Sequence, residues 1–309
     1  MTAEWTGTID RVMIGATNAD GGTRRISYTI GGDSDFPFTA AGGDRPLVAL
    51  EIADDIHTWP AVALEPLGST AEDPRAWAKS AETDWGADLV RLNLTSTHRR
   101  GFTDFAAITR TVEDVLGSTA LPLIIEGSND PAIDSEVFQK CGEAGEGERL
   151  LLGTAEADRY RSVAAAALAY NHCVIAQSPI DINLAKQLNI LLREIGMPHN
   201  AIVIDPYTGA IGYGFEYSFS VMERIRFAAL KGDRDLAMPM ISAAIDSLSV
   251  KEVREAQTAD RPEIAVAWEF SAALAAAFAG AAILCVRHPE TVRKLRKTFA
   301  ALEQGGPAS

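Results

Sequence analysis

Cysteine is scarce in this chain of 309 residues: Cys141, Cys173 and Cys285 are the only three, and they lie far apart. Neither a disulfide framework nor a cluster-binding spacing is present, so a reducing, cytoplasmic setting is the default expectation. Histidine is almost as rare, with five residues and no zinc-site spacing. Positive charge is also short. Lys and Arg total 28 against 42 Asp and Glu, giving a formal net charge of −14 and a pI near 4.8. Most of such a surface repels a phosphate backbone, so nucleic acid is not expected as a partner. The two basic stretches, His98-Arg99-Arg100 and Arg293 through Lys297, read as solvated faces. Long apolar runs are missing as well. The longest, residues 271–286, covers 16 residues and contains Gly280, so no membrane span is expected. Residues 1–10 carry no basic region leading into an apolar core, and no secretory signal is expected.

What remains is an ordinary globular composition, 47% hydrophobic and 23% charged, long enough for one large α/β domain or two smaller ones. Residues 6–14 and 24–30 alternate loosely around Asn18-Ala19-Asp20-Gly21-Gly22, a hairpin signal. The expected organisation is a hairpin and loop extension over residues 1–45, then one domain over 46–309. Within it, strand-like runs at 47–52, 88–94, 121–126, 150–152, 172–176, 202–204, 236–241 and 282–286 alternate with helical patterns. Asp73-Pro74 gives an N-cap followed by proline at the first helical position. Eight strands alternating with eight helices predict a (β/α)8 TIM barrel. A doubly wound open sheet is the alternative, because the run at 236–241 is weak. Against it, Glu51-Ile52-Ala53-Asp54-Asp55 follows the first strand where a glycine fingerprint would stand.

In a barrel, residues just after each strand line one mouth. These are Asp54, Asp55 and His57; Asn93 and Thr95; Glu126, Ser128 and Asn129; Thr154 and Glu156; Gln177, Ser178 and Asn183; Asp205, Thr208 and Tyr213; Arg287 and His288. Most are amides and hydroxyls, which bind polar ligands and do little proton transfer. The stretch 202–230 dominates. A β-branched run ends at Asp205-Pro206, Gly209, Gly212 and Gly214 follow, and a helical pattern begins at Glu216. The glycines permit positive φ and close approach to a ligand. Enzyme templates are missing. His172 and Cys173 are neighbours on a strand and point to opposite faces. Asp55-Ile56-His57-Thr58-Trp59-Pro60 imitates the start of a cobalt-ligating Asp-x-His-x-x-Gly motif, but Pro60 replaces the glycine, and His57 reads as a loop histidine.

Residues 205–226 (DPYTGAIGYGFEYSFSVMERIR) resemble the signature loop and helix of the corrinoid iron–sulfur protein small subunit. In archaea the same family is called the delta subunit of the acetyl-CoA decarbonylase/synthase complex. Residues 73–79 (DPRAWAK), 86–90 (GADLV), 126–128 (EGS), 181–189 (DINLAKQLN), 287–289 (RHP) and the loop 31–38 also match, in order, over nearly the whole chain. Tyr207 departs from the pattern, which has threonine there. The resemblance implies a (β/α)8 barrel paired with a large subunit that carries the iron–sulfur cluster and most of the corrinoid site. It implies a corrinoid of cobalamin type shared with that subunit, no iron–sulfur cluster in this chain, and transient contact with a methyltransferase and acetyl-CoA synthase. The small subunit would be non-catalytic, covering a corrinoid that shuttles methyl from a tetrahydropterin methyltransferase. Strand-end position and family matches together nominate Asn93, Ser128, Asn129, Asn183, Asp205, Thr208, Gly209 and Tyr213 to face the cofactor, with no catalytic or metal-ligating residue. Two alternatives stand beside this: a pterin-binding corrinoid methyltransferase of the same barrel class, with Asn93 and Asp205 on the pterin, and a purely structural subunit.

Overall fold

The structure, a computed structural model, describes residues 5–39, 43–96, 104–128 and 130–304. Asn129 and the basic stretch at residues 98–100 lie outside these. Two short strands, β1 (Val12–Ile14) and β2 (Tyr28–Ile30), pair antiparallel with Val12 opposite Ile30. Eight more follow: β3 (Leu47–Ala53), β4 (Leu89–Asn93), β5 (Leu123–Glu126), β6 (Leu151–Ala155), β7 (Cys173–Gln177), β8 (Ile202–Asp205), β9 (Met240–Ala243) and β10 (Ala281–Val286). They form a closed parallel barrel in chain order, because β10 pairs with both β9 and β3. Closure rules out the open doubly wound sheet.

The barrel forms because its strands are apolar almost throughout and can be buried on both faces. Helices between them start at side-chain caps. Asp73 accepts the N–H of Arg75 at the head of Pro74–Thr83, Asp130 that of Ala132, and Asp181 those of Asn183 and Leu184. Trp77, fully buried on the first of these helices, packs edge-on against Trp59 with ring centroids 4.9 Å apart. The seventh barrel strand starts four residues later than its apolar run, at Met240 rather than 236. Residues 234–236 instead form a 3-10 turn capped by Asp233, and Pro239 has no N–H to give a ladder, although its carbonyl accepts from Ile204.

The β1–β2 hairpin covers the amino-terminal end of the barrel. Gly15 N donates to Arg149 O at 3.0 Å, Arg25 N to Ala120 O at 3.1 Å, and Arg24 reaches Thr119 O and Glu148 at 2.7 Å each. Val12, Ile14 and Ile30 join the same apolar core as the barrel. At that end Asp88, 2% exposed, takes the N–H of Val48 at 2.9 Å, both Nη groups of Arg45 at 2.9 Å and Arg296 at 2.7 Å. One buried carboxylate thus ties the loop before β3, the barrel and the last helix together. No described helix is long and apolar enough to cross a membrane.

Candidate functional site

Strand parity decides what fills the carboxyl-terminal end of the barrel. On β4 the residues alternate Leu89, Val90, Arg91, Leu92, Asn93, so Arg91 and Asn93 share a face. The register places Glu51 of β3 beside Arg91, and Asn93 beside Glu126 of β5. All of these side chains are buried. Arg91 donates one Nη to Glu51 at 2.7 Å and the other to Glu126. Arg287, just past β10, donates Nε and Nη2 to the free oxygen of Glu51 at 3.0 and 2.7 Å, and its guanidinium lies 4.2 Å from the centre of the Trp59 ring. Asn93 Nδ2 points to the same Glu51 oxygen at 3.4 Å.

These charges set one another. Burial raises the Glu51 carboxyl, but Arg287 and Arg91 outweigh it and hold its pKa below the ordinary value. Burial opposes the charge on Arg91, yet Glu126 and Glu51 push its pKa up. Glu126 goes the other way: burial exceeds the help from Arg91 and raises it. Asp205, at the end of β8, is raised by burial against the bonds it accepts from Gln177 Nε2 at 2.9 Å and Tyr207 N at 2.8 Å. Asp246 is raised by burial, with Arg287 opposing. The mouth therefore holds a firmly ionised Arg91–Glu51 pair, with Arg287 on the other oxygen of Glu51, and carboxyls that keep protons more readily than exposed ones do.

The eight nominated residues separate into layers. Asn93 and Asp205 point into the barrel; Asn93 Oδ1 is buried and has no hydrogen-bond partner among the described residues. Ser128 is buried too, and its hydroxyl and N–H both donate to Asp134 at 2.6 and 2.8 Å. Thr208 bonds Ser242 at 2.8 Å, and Gly209 N donates to Ser218 Oγ at 3.0 Å. A Cβ on Gly209 would lie 3.1 Å from Gly214 C, so Gly209 is small because the loop folds back on itself. Its φ is not in the left-handed region, whereas Gly212 (+76°) and Gly214 (+110°) are there. Asn183 and Tyr213 are exposed on the rim. Tyr207, at φ +64°, is 44% exposed, Tyr213 53% and Tyr217 64%. Tyr207→Gly should therefore unfold at the same or a higher temperature, while Gly214→Ala, forced into a left-handed conformation, should lose about 1–2 kcal/mol by thermal denaturation.

Sequence reasoning passed over Glu51, Arg91, Trp59, Asp246 and Glu269. Glu51 and Arg91 were detectable as charges inside otherwise apolar strands, where only the barrel interior can take them with a partner. Glu269 carried no such signal, sitting mid-helix. His57 is held locally, its Nδ1 2.6 Å from Asp55 Oδ1. His172 is buried between Leu150 N and Gly142 O, and Cys173 Sγ reaches Met13 O at 3.4 Å, so the two do not meet.

Among solved structures, the barrel is similar to dihydropteroate synthases. That of Burkholderia cenocepacia gives a TM-score of 0.60 at 18% identity, over 97% of this chain and 100% of that one. A Xanthomonas albilineans enzyme in complex with 7,8-dihydropteroate gives 0.59 at 19%, over 84% and 94%. At these identities the likeness speaks to the fold alone. Sequence relatives reach further. A protein of Archaeoglobus fulgidus described as acetyl-CoA decarbonylase/synthase complex subunit delta is 34% identical over 99% of this chain and 70% of its own length. One of the same description from Methanopyrus kandleri is 35% identical over 97% and 76%. The family model for the CO dehydrogenase/acetyl-CoA synthase delta subunit matches residues 11–292, which runs from the hairpin through the last barrel strand into the closing helix. The chain belongs to the CO dehydrogenase/acetyl-CoA synthase delta subunit family.

Proposed function

We propose that this chain is the small subunit of a corrinoid-carrying assembly, covering a corrinoid held mainly by a larger iron–sulfur partner. The observation that carries this reading is the exposed rim: Tyr207, Tyr213 and Tyr217 are exposed on the loop after β8 and the first turn of the helix Phe215–Leu230, and Asn183 is exposed on the helix that follows β7. Aromatic rings with a polar tip and an exposed amide suit a broad macrocycle edged with amide side chains. Tyr213 is braced by a hydrogen bond to Glu252 at 3.1 Å, which fixes its ring beside the mouth. The residues thus fit such a group without supplying a metal ligand. When bound, the corrinoid supplies the cobalt that takes up and gives away a methyl group. The chain's own part is to orient the macrocycle and keep water from that face. The names of its relatives support membership of a multi-subunit acetyl-CoA decarbonylase/synthase. Methyl would then pass from a tetrahydropterin methyltransferase to acetyl-CoA synthase.

Removing the rim in the assembled heterodimer, with Tyr213→Ala, Tyr217→Ala and Asn183→Ala together, should weaken corrinoid retention at least about tenfold, equivalent to about 1.4 kcal/mol. Corrinoid absorption during dialysis measures it. Retention equal to that of the unaltered heterodimer would overturn the assignment.

A second reading has one specific observation behind it. Asn93 Oδ1, an acceptor without a partner among the described residues, faces the interior that also holds Asp205. Two acceptors there suit the donor edge of a pterin, the ligand class of the dihydropteroate complex. Isothermal titration of the isolated chain with methyl-tetrahydrofolate separates the two: binding favours a pterin-binding methyltransferase, and silence favours the covering subunit.

A further inference from the structure

Glu269 lies in the middle of the helix Arg261–Phe278 and is completely buried. Its two oxygens accept consecutive backbone N–H groups just past β10: Oε1 from Arg287 at 2.7 Å and Oε2 from His288 at 3.1 Å. The side chain of Arg287 then reaches inward to Glu51 at 2.7 Å and spreads over Trp59. A continuous path therefore runs from the outer helix, through the backbone of Arg287, to Glu51, Arg91 and Glu126 in the mouth.

We propose that Glu269 is the positioning residue for Arg287, and that its ionised form holds the guanidinium against Glu51 and Trp59 while its neutral form releases it. A carboxylate can accept both N–H groups with charge assistance, whereas a carboxylic acid presents one good acceptor and a hydroxyl that must donate elsewhere. Burial pushes the Glu269 carboxyl up to about 7, against the N–H groups of Arg287 and His288, the neighbouring Thr291 hydroxyl and the Arg287 charge. The charged side chain that acts on it is that of Arg287. Asp246, before the helix Lys251–Arg254, acts on Arg287, and His288 is lowered to about 4 by burial, so it is neutral near pH 7. The inference stands on this geometry whichever ligand the mouth takes.

The indole of Trp59 reports the position of Arg287 directly. In the full-length protein, tryptophan emission should change along one titration centred near pH 7. It should be lost in Trp59→Phe and in Glu269→Gln, and retained with a moved midpoint in Glu269→Asp. His57→Gln must keep it, since His57 lies two residues from Trp59 in sequence. Arg287→Lys, which leaves the buried carboxyl untouched, should abolish the change and covers the case in which Glu269→Gln does not fold. A titration that survives in Trp59→Phe or Arg287→Lys, disappears in His57→Gln, or is absent from the unaltered protein would overturn the proposal.

Discussion

Arg91→Met is expected to destabilise the fold by about 3–5 kcal/mol, the usual cost of removing one partner from a buried ion pair. The substitution preserves length and leaves Glu126 without its cation, while Glu51 keeps only Arg287. The loss should depend on pH with a definite sign. Glu126 is already raised by burial even beside Arg91, and removing that charge raises it further. A folded-state pKa above the unfolded one means the native state holds the extra proton, so stability falls as pH rises through that window. Urea denaturation should therefore show a larger deficit at pH 8 than at pH 5. Replacing Glu126 by Gln in the same variant should recover part of the deficit, because the unpaired charge is gone while Glu51 keeps Arg287. If Arg91→Met unfolds like the unaltered protein at both values, the network is not buried as described.

Asp88→Ala should cost about 2–4 kcal/mol at the opposite end of the barrel. Its carboxylate serves Val48 N, Arg45 and Arg296 at once, so its loss strands a buried backbone N–H and two cations. Arg45 and Arg296 are partly exposed and can rehydrate, which keeps this below the cost at Arg91. The two variants differ in a second way. Among the described residues Asp88 bonds groups at the amino-terminal end, so its removal should leave ligand retention at the mouth unchanged once the protein is kept cold enough to stay folded. Arg91→Met should alter both. Retention of the ligand at the mouth, a corrinoid under the proposed function, measured beside the denaturation curves separates scaffold from site.

Glu269 adds an opposing trend to the usual behaviour of acidic groups. Its carboxyl is raised to about 7, so its contribution to stability falls as pH rises from the ordinary glutamate value toward neutrality. Glu51 is lowered and contributes in the other direction, its stabilisation lost as pH falls. The barrel end thus combines groups of both signs rather than a single acid-sensitive contact.

The fold was legible from local pattern. Apolar runs of strand length, aspartate caps and proline at first helical positions all act within a few residues, and they placed the hairpin and every barrel strand, with β9 displaced only because Pro239 and the 3-10 turn before it delay the ladder. The mouth was partly legible. Asp205, Asn93 and Tyr213 follow from lying at strand ends, and the similarity of residues 205–226 to a known family named the assembly. Ser128, Thr208 and Gly209 lie near the mouth, but their polar groups are spent on Asp134, Ser242 and Ser218. No local signal distinguishes a hydroxyl offered to a ligand from one consumed by a neighbour.

By itself, then, the sequence determined the alternation of strand and helix, the apolar lining of the barrel and the family. Those depend on short-range periodicity and on strings of residues. Only the tertiary structure decided that Glu51 meets Arg287 across 236 positions, that Arg91 bridges Glu51 and Glu126, and that Glu269 reaches past its own helix to hold the backbone after β10. Pairing of buried charges depends on register and on closure of the barrel, and closure is a property of all eight strands together.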